Sequence, residues 1–254
     1  MKGIFKKVLI VLFLGVLLTG CFKDDNYPSD NYWIDIATVE NPSLKSEFFL
    51  RLDDSTLLWT ANSRFPNYRP KDGQRIIANY TVLSDKQATG LYDYDIQLND
   101  VYEVLTKGIF EVSPETQDSI GKDPIYVSRI WIGSKFLNIE FYYRGYTKTH
   151  FVNLVSDTAK TYTDSKIHLE FRHNANNDEP IHQRWGVVSF DIESLKDNNQ
   201  DSVQLVIHYN KLNQTAEELY NLTYKYNEIT TGSSVKNKAV IRKFDDYLPE
   251  DEIQ

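Results

Sequence analysis

From residue 32 onward, apolar and polar side chains alternate along short runs separated by polar turns. Tyr32, Ile34 and Ile36 share one face of the first run, with Asp35 on the other. Phe48, Leu50 and Leu52 alternate against Glu47 and Arg51 after a turn at Asn41-Pro42-Ser43. A period of two puts successive side chains on opposite faces, so each run predicts a strand. Asp53-Asp54-Ser55 makes a tight connection into Thr56 to Thr60, which predicts a hairpin. Asn62 to Gly73 carries Pro66, Pro70 and Gly73 and reads as a long loop. In the next strand, Ile76, Ala78, Tyr80 and Val82 oppose Asn79 and Thr81. Tyr94, Ile96 and Leu98 then oppose Asp93, Asp95 and Gln97, and a further strand is expected near Val101 to Leu105. About five or six short strands in so short a span predict a small barrel, because closing the sheet removes its exposed edges.

Ser113 to Pro124 is rich in Pro, Gly, Asp and Ser and has no periodicity, so a linker is expected over 114–124, dividing a barrel at 32–113 from a second domain at 125–245. Strands follow at Tyr126 to Ile132, Lys135 to Tyr143 and His150 to Val155. The strand at Lys166 to His173 would bury Ile167, Leu169 and Phe171 and show His168, Glu170 and Arg172 to solvent. Arg184 to Ile192 and Val203 to Tyr209 complete the series. Strands with one apolar face each, joined by polar turns, describe an antiparallel β-sandwich. Thr215-Ala216-Glu217-Glu218 fits a helix capping box, while Tyr220, Leu222, Tyr224 and Tyr226 fit a strand, and both remain open. A last strand is expected at Lys238 to Phe244, ahead of an acidic tail at 246–254. The fold class is therefore all-β.

The first twenty residues break this pattern. Lys2, Lys6 and Lys7 precede an apolar run from Val8 to Leu18, which is short for a membrane span and reads as a cleaved signal at 1–20. Leu18-Thr19-Gly20-Cys21 resembles a bacterial lipobox, which implies lipid on Cys21. Cys21 is also the only cysteine of the chain, so no intrachain disulfide can form. Residues 21–31 form a polar tether. Within it, Lys23, Asp24 and Asp25 are similar to the lysine-plus-acidic-pair signal that sends Bacteroidetes lipoproteins to the cell surface.

Loss of residues 1–20 removes three lysines and no acid, taking the formal net charge from −8 to −11. So acidic a chain lacks the electrostatic footprint of a nucleic-acid binder. No nucleophile elbow, phosphate loop or dinucleotide fingerprint appears, and no catalytic residue and no cofactor is assigned. Among the five histidines, His168 and His208 fall on polar strand faces, with Asp191 on another, but no metal-ligand spacing links them and no metal site is assigned. Trp33, Trp59, Tyr68 and Tyr92 could stack on sugar rings or simply pack.

The lipobox with Lys23-Asp24-Asp25, the run Tyr32-Trp33-Ile34-Asp35, the block Asp72-Gly73-Gln74-Arg75-Ile76-Ile77-Ala78-Asn79-Tyr80-Thr81 and Tyr94-Asp95-Ile96-Gln97-Leu98 together resemble the NigD-like lipoprotein family of Bacteroidetes. The resemblance implies an N-terminal OB-like barrel followed by a β-sandwich. The family takes its name from a gene cluster linked to the bacteriocin nigrescin, which implies an immunity or accessory role. Ser55, Ser119, Thr158 and Ser202 each follow an Asp and resemble acceptors of Bacteroidetes O-glycosylation. The expected protein is a non-enzymatic binding lipoprotein, held at the outer membrane through lipid on Cys21, facing the cell surface, with a protein or glycan partner. A glycan-binding lipoprotein of a polysaccharide system is the first alternative, and an enzyme acting on envelope sugars the second.

Overall fold

The computed structural model describes residues 32–40, 47–86, 90–113, 116–213 and 216–226, excluding the side chains of 118 and 119. The signal, Cys21, Lys23, Asp24, Asp25, the turn at Asn41-Pro42-Ser43, the strand expected at Lys238 to Phe244 and the acidic tail lie outside these residues. Five strands, β1 (Trp33–Glu40), β2 (Phe49–Leu52), β3 (Leu57–Ser63), β4 (Arg75–Val82) and β5 (Tyr94–Glu103), close a barrel in the order β1-β2-β3-β5-β4. The run expected at Val101 is the end of β5, carried past a bulge opposite Asn79 and Tyr80 rather than starting a new strand. The alternating residues Leu50, Leu58, Ile76, Ala78, Tyr80, Ile96 and Leu98 fill the barrel.

After the barrel come β6 (Leu105–Lys107), β7 (Ile109–Val112), a one-turn helix α1 (Gln117–Ile120), β8 (Tyr126–Gly133), β9 (Phe136–Gly145), β10 (Phe151–Asp157), β11 (Ile167–Asn174), β12 (His182–Asp191), β13 (Ser202–Asn210) and β14 (Glu217–Lys225). They form two facing sheets, β14-β13-β11-β10-β7 and β6-β12-β9-β8. Antiparallel pairs are joined by three parallel ones, β7 with β10, β6 with β12 and β11 with β13. The core between the sheets holds Leu137, Ile139, Phe141, Leu154, Phe171, Phe190 and Ile207.

The expected division of the chain needs correction. Leu105 to Val112 was expected within the barrel domain, yet β6 pairs with β12 and β7 with β10, so the chain changes domain after Glu103. Gly108 separates the two short strands and lets the chain pass from one sheet to the other. The expected linker contains α1, whose Ile120 is buried against Val112 and Val155. Of the two readings left open for the segment after Thr215, the strand is the one found from Glu217 on. Glu217 to Lys225 is a strand, because nine residues pair with β13 while Leu222 and Tyr224 reach the core. A long ladder with apolar burial outweighs a local cap.

β1 buries both faces. Ala37 and Val39 point into the barrel, whereas Ile36, with Ile77 of β4 and Val104, packs on Trp185 and Val187 of β12. Burying such side chains stabilises by about 1.5–3 kcal/mol each, so this cluster supplies on the order of 10 kcal/mol gross. Beside it lies Arg75, 1% exposed. Its guanidinium meets Asp53 Oδ1 at 2.8 Å and donates to Asn138 Oδ1 at 2.9 Å and Thr38 Oγ1 at 3.1 Å. Asp53 Oδ2 accepts from Trp131 Nε1 at 2.9 Å and from Asn138 Nδ2 at 3.0 Å. Ser189 donates to Asn138 Oδ1 at 2.6 Å, and the ring of Phe136 lies under the guanidinium at 4.6 Å. Gly133 has no room for a side chain, since a Cβ there would stand 2.1 Å from Asp53 Cγ. Burying a guanidinium costs several kcal/mol, so the apolar cluster supplies the adhesion and the polar network fixes the orientation.

Replacing Arg75 by Met strands Asp53 and Asn138, and is expected to lower the unfolding free energy by about 3 kcal/mol or more. Arg51→Ala removes the half-exposed pair with Glu40 and a 3.3 Å bond to the Ser55 carbonyl, and should cost about 1 kcal/mol or less. Urea titration of the two variants checks the contrast, and equal losses would contradict it.

Candidate functional site

The polar face of β11 is not solvated as its alternation predicts. Glu170 is 5% and Arg172 2% exposed. The connection from β10 to β11, residues 158–166, folds over this face. Lys160 Nζ reaches Glu170 Oε1 at 2.6 Å, and Arg172 Nε donates to Glu170 Oε2 at 2.8 Å. Burial raises the Glu170 pKa, but the Lys160 and Arg172 bonds outweigh it and hold the carboxyl below its usual range. A tyrosine from the same connection, Tyr162, lies flat on His168, with ring centres 3.6 Å apart and planes 6° from parallel.

His168 and His208 are brought together, since β11 and β13 are neighbours. Asp164, His168, His208 and Glu217 form a row with successive contacts of 2.8, 2.8 and 3.0 Å. Each nitrogen is aimed at the next group along a line, so the row has no common point for a metal ion. Among the described residues no set of three or more ligands converges. Asp191 lies in the other sheet, paired with Lys135 at 2.9 Å. The cavity beside Glu170, Arg172 and His208 is about 10 Å³, room for one water at most.

A second row clips the β9–β10 turn. Asp178 Oδ2 faces His150 Nε2 at 3.3 Å, and His150 Nδ1 faces His173 Nε2 at 2.8 Å. Asp178 also accepts the backbone N–H groups of Tyr146 and Thr147. Burial raises its pKa, but these bonds outweigh burial and hold it well below the carboxylate range. Burial pushes His173 down to about 4, with the neighbouring His150 adding to the effect. Burial likewise lowers His150 against the pull of Asp178. Both rings are therefore neutral near neutral pH, as a row of this kind needs. Inside the barrel, Tyr80 Oη donates to Asp35 Oδ2 at 2.9 Å. Burial, which this bond only partly offsets, pushes Asp35 up to about 7.

The four aromatic candidates separate. Trp33 and Tyr68 pack on the barrel core, Tyr68 meeting Phe48 edge-on at 6.0 Å. Trp59 and Tyr92 share the outer wall at 5.4 Å. Phe49, not singled out from the sequence, joins them, since it pairs across the ladder with Trp59 and lies 6.1 Å from Tyr92. Its place between the buried Phe48 and Leu50 is the signal that puts it on the outer face.

Of the acceptor candidates, Ser55 lies in the β2–β3 turn at φ 71°, Ser119 in α1 and Ser202 at the start of β13. Thr158 follows β10, its hydroxyl donating to the carbonyl of Val112 at 3.3 Å.

Residues 36–104 match the NigD-like N-terminal OB domain, and residues 108–224 match the NigD-like C-terminal beta sandwich domain. The chain belongs to the NigD-like family. Its domains change between residues 104 and 108, where the pairing of β6 and β7 places the change. A crystal structure described as that of a toxin-related protein from Parabacteroides distasonis is 33% identical, with TM-score 0.68, covering 82% of this chain and 100% of the other. A protein of unknown function from Bacteroides vulgatus is 27% identical with TM-score 0.67, covering 78% and 93%. A NigD-like immunity protein from Bacteroides caccae, at 18% identity and TM-score 0.59 over 79% and 99%, shares the fold. None of the curated proteins compared with the chain matches it.

The neutral histidine row of this NigD-like protein has a pH signature. A group whose folded pKa is depressed contributes stability that is present above its unfolded value, about 6.5, and lost as pH falls through the folded value. Stability should therefore drop between about pH 6.5 and the His173 value of about 4. His173→Gln should start less stable at neutral pH and lose less over that interval. Denaturation midpoints across the range check this, and equal slopes for the two proteins would contradict it.

Proposed function

We propose that this NigD-like protein is a lipid-anchored, non-enzymatic binding protein of the outer membrane, attached through Cys21 and presented to the cell surface by Lys23, Asp24 and Asp25. The observation that carries this reading is the use made of the ionisable side chains. Arg75 with Asp53, Arg172 with Glu170, His150 with Asp178 and His208 with Glu217 are spent on holding strands, turns and domains together. A body whose buried ionisable groups serve structural contacts leaves its outer surface for recognition. The family, together with a fold-mate named as an immunity protein, makes bacteriocin immunity or an accessory function the first role to test. Ser55, Ser119, Thr158 and Ser202 are its proposed glycosylation positions.

A second reading, a glycan-binding surface lipoprotein, is favoured by Phe49, Trp59 and Tyr92 on the outer wall of the barrel.

Protease treatment of intact cells tests the address. The native protein should be cleaved, a variant with Lys23, Asp24 and Asp25 all changed to Ala should be protected, and Cys21→Ser should leave the membrane fraction. Protection of the native protein until the outer membrane is opened would contradict a surface position.

A further inference from the structure

On the barrel wall, two rows of uncharged side chains run side by side. The first is aromatic, with Phe49 on β2, Trp59 on β3 and Tyr92 just before β5. The second is a ladder of amides crossing three strands. Asn62 Nδ2 of β3 donates to Gln97 Oε1 of β5 at 3.2 Å, and Gln97 Nε2 donates to Asn99 Oδ1 at 3.0 Å. Asn99 Nδ2 then donates to Thr81 Oγ1 at 2.9 Å and Asn79 Oδ1 at 3.3 Å, both on β4. The register joins the rows, since Trp59 pairs with Asp95 and Asn62 with Gln97, its next outward neighbour. One carboxylate, Asp95, stands at the seam, its Oδ1 buried.

This wall is unusual for the chain that carries it. The protein has 36 acidic and 28 basic residues, and a solvated strand face would ordinarily draw on them. Asn is moreover disfavoured in strands, so four amides bonded in series are not explained by propensity. Each amide has two donor hydrogens and two acceptor lone pairs, and the ladder uses only part of that capacity. The side chains are half-buried, with only Asn62 exposed, so the ladder is ordered before any ligand arrives and a ligand pays little to fix it.

The chemistry selects a ligand class. An aromatic face offers contact to the apolar C–H face of a sugar ring. An ordered row of amides offers paired donors and acceptors to neighbouring hydroxyls. A polyanion would need unpaired cations beside the rows; Arg51, on the outward face of β2 next to Phe49, is already paired with Glu40. A basic peptide would need exposed, unpaired carboxylates; Asp95 Oδ1 is buried, and Glu40, opposite Phe49, is paired with Arg51. We infer that this wall of the barrel is a binding site for a neutral saccharide, with Phe49, Trp59 and Tyr92 as the stacking platform and Asn62, Gln97, Asn99 and Asn79 as the groups that read hydroxyls. The site rests on the reading of the protein as a binding protein and gives its ligand a chemical class.

Calorimetric titration of the full chain in detergent tests the site, using soluble gluco-, manno- and xylo-oligosaccharides, with heparin as a polyanion control. At least one neutral series should bind at millimolar concentration or below, heparin should not, and raising salt should leave the affinity unchanged. Trp59→Ala should weaken binding by about tenfold or more, as loss of a central aromatic anchor does. Gln97→Ala should weaken it several-fold, and Tyr220→Ala on the sandwich should leave it unchanged. Circular dichroism of each variant verifies its fold. Binding that survives Trp59→Ala and Gln97→Ala overturns the site. Failure of all three series overturns the ligand class. A photo-crosslinking residue at position 62 that then captured a protein on intact cells would make the wall a protein interface, leaving the binding-protein reading in place. The surface address is tested separately, by the protease experiment.

Discussion

One buried guanidinium constrains how the barrel and the sandwich meet. Once Arg75 is taken out of water, every donor it carries needs a partner, and the partners come from both domains: Asp53 and Thr38 from the barrel, Asn138 from the sandwich. Asp53 answers by bonding Trp131 and Asn138 across the same junction. The apolar packing of Ile36, Ile77 and Val104 on Trp185 and Val187 tolerates small slips, whereas a network of charged and amide groups does not. Adhesion and orientation are thus divided between two adjacent sets of side chains.

The same division runs through the rest of the molecule. Charged and titratable groups that look chemical in isolation are mostly structural in place. The row from Asp164 to Glu217 ties a loop and the β14 edge strand to the sheet, and the row from Asp178 to His173 ties down a turn. In both rows each contact joins one element of the sandwich to the next. The wall of amides and aromatics is built differently. It joins strands the backbone ladder already joins, and it keeps hydrogen-bonding capacity to spare.

The strands were legible because one face of each is apolar and the other polar, and a period of two needs no tertiary knowledge. What covers a polar face was not legible. Glu170 and Arg172 sit on the polar positions of β11, yet residues 158–166, which have no periodicity, fold over them. The junction left a trace that alternation alone cannot use: Ile76, Ile77 and Ala78 are consecutive and all buried, because β4 faces the barrel core on one side and the sandwich on the other. The domain change at residues 104–108 was hidden for the opposite reason. Val104 and Leu105 are apolar anchors on either side of it, so no polar run marks it, and the Ser/Pro/Asp-rich stretch that looked like a linker lies inside the sandwich domain. The amide ladder was unreadable because its members come from β3, β4 and β5, and only the parallel pairing of β3 with β5 brings Asn62 beside Gln97.

If the junction makes barrel and sandwich one cooperative body, they must unfold together. The most direct measurement is native-state hydrogen exchange, comparing the slowest amides of the barrel, such as those of Ile76 and Leu98, with those of the sandwich, such as Ile139 and Leu154. Equal opening free energies in both sets, falling in parallel with added denaturant, are the predicted result. Barrel amides that exchange freely while the sandwich stays protected would show two independent domains and contradict the account.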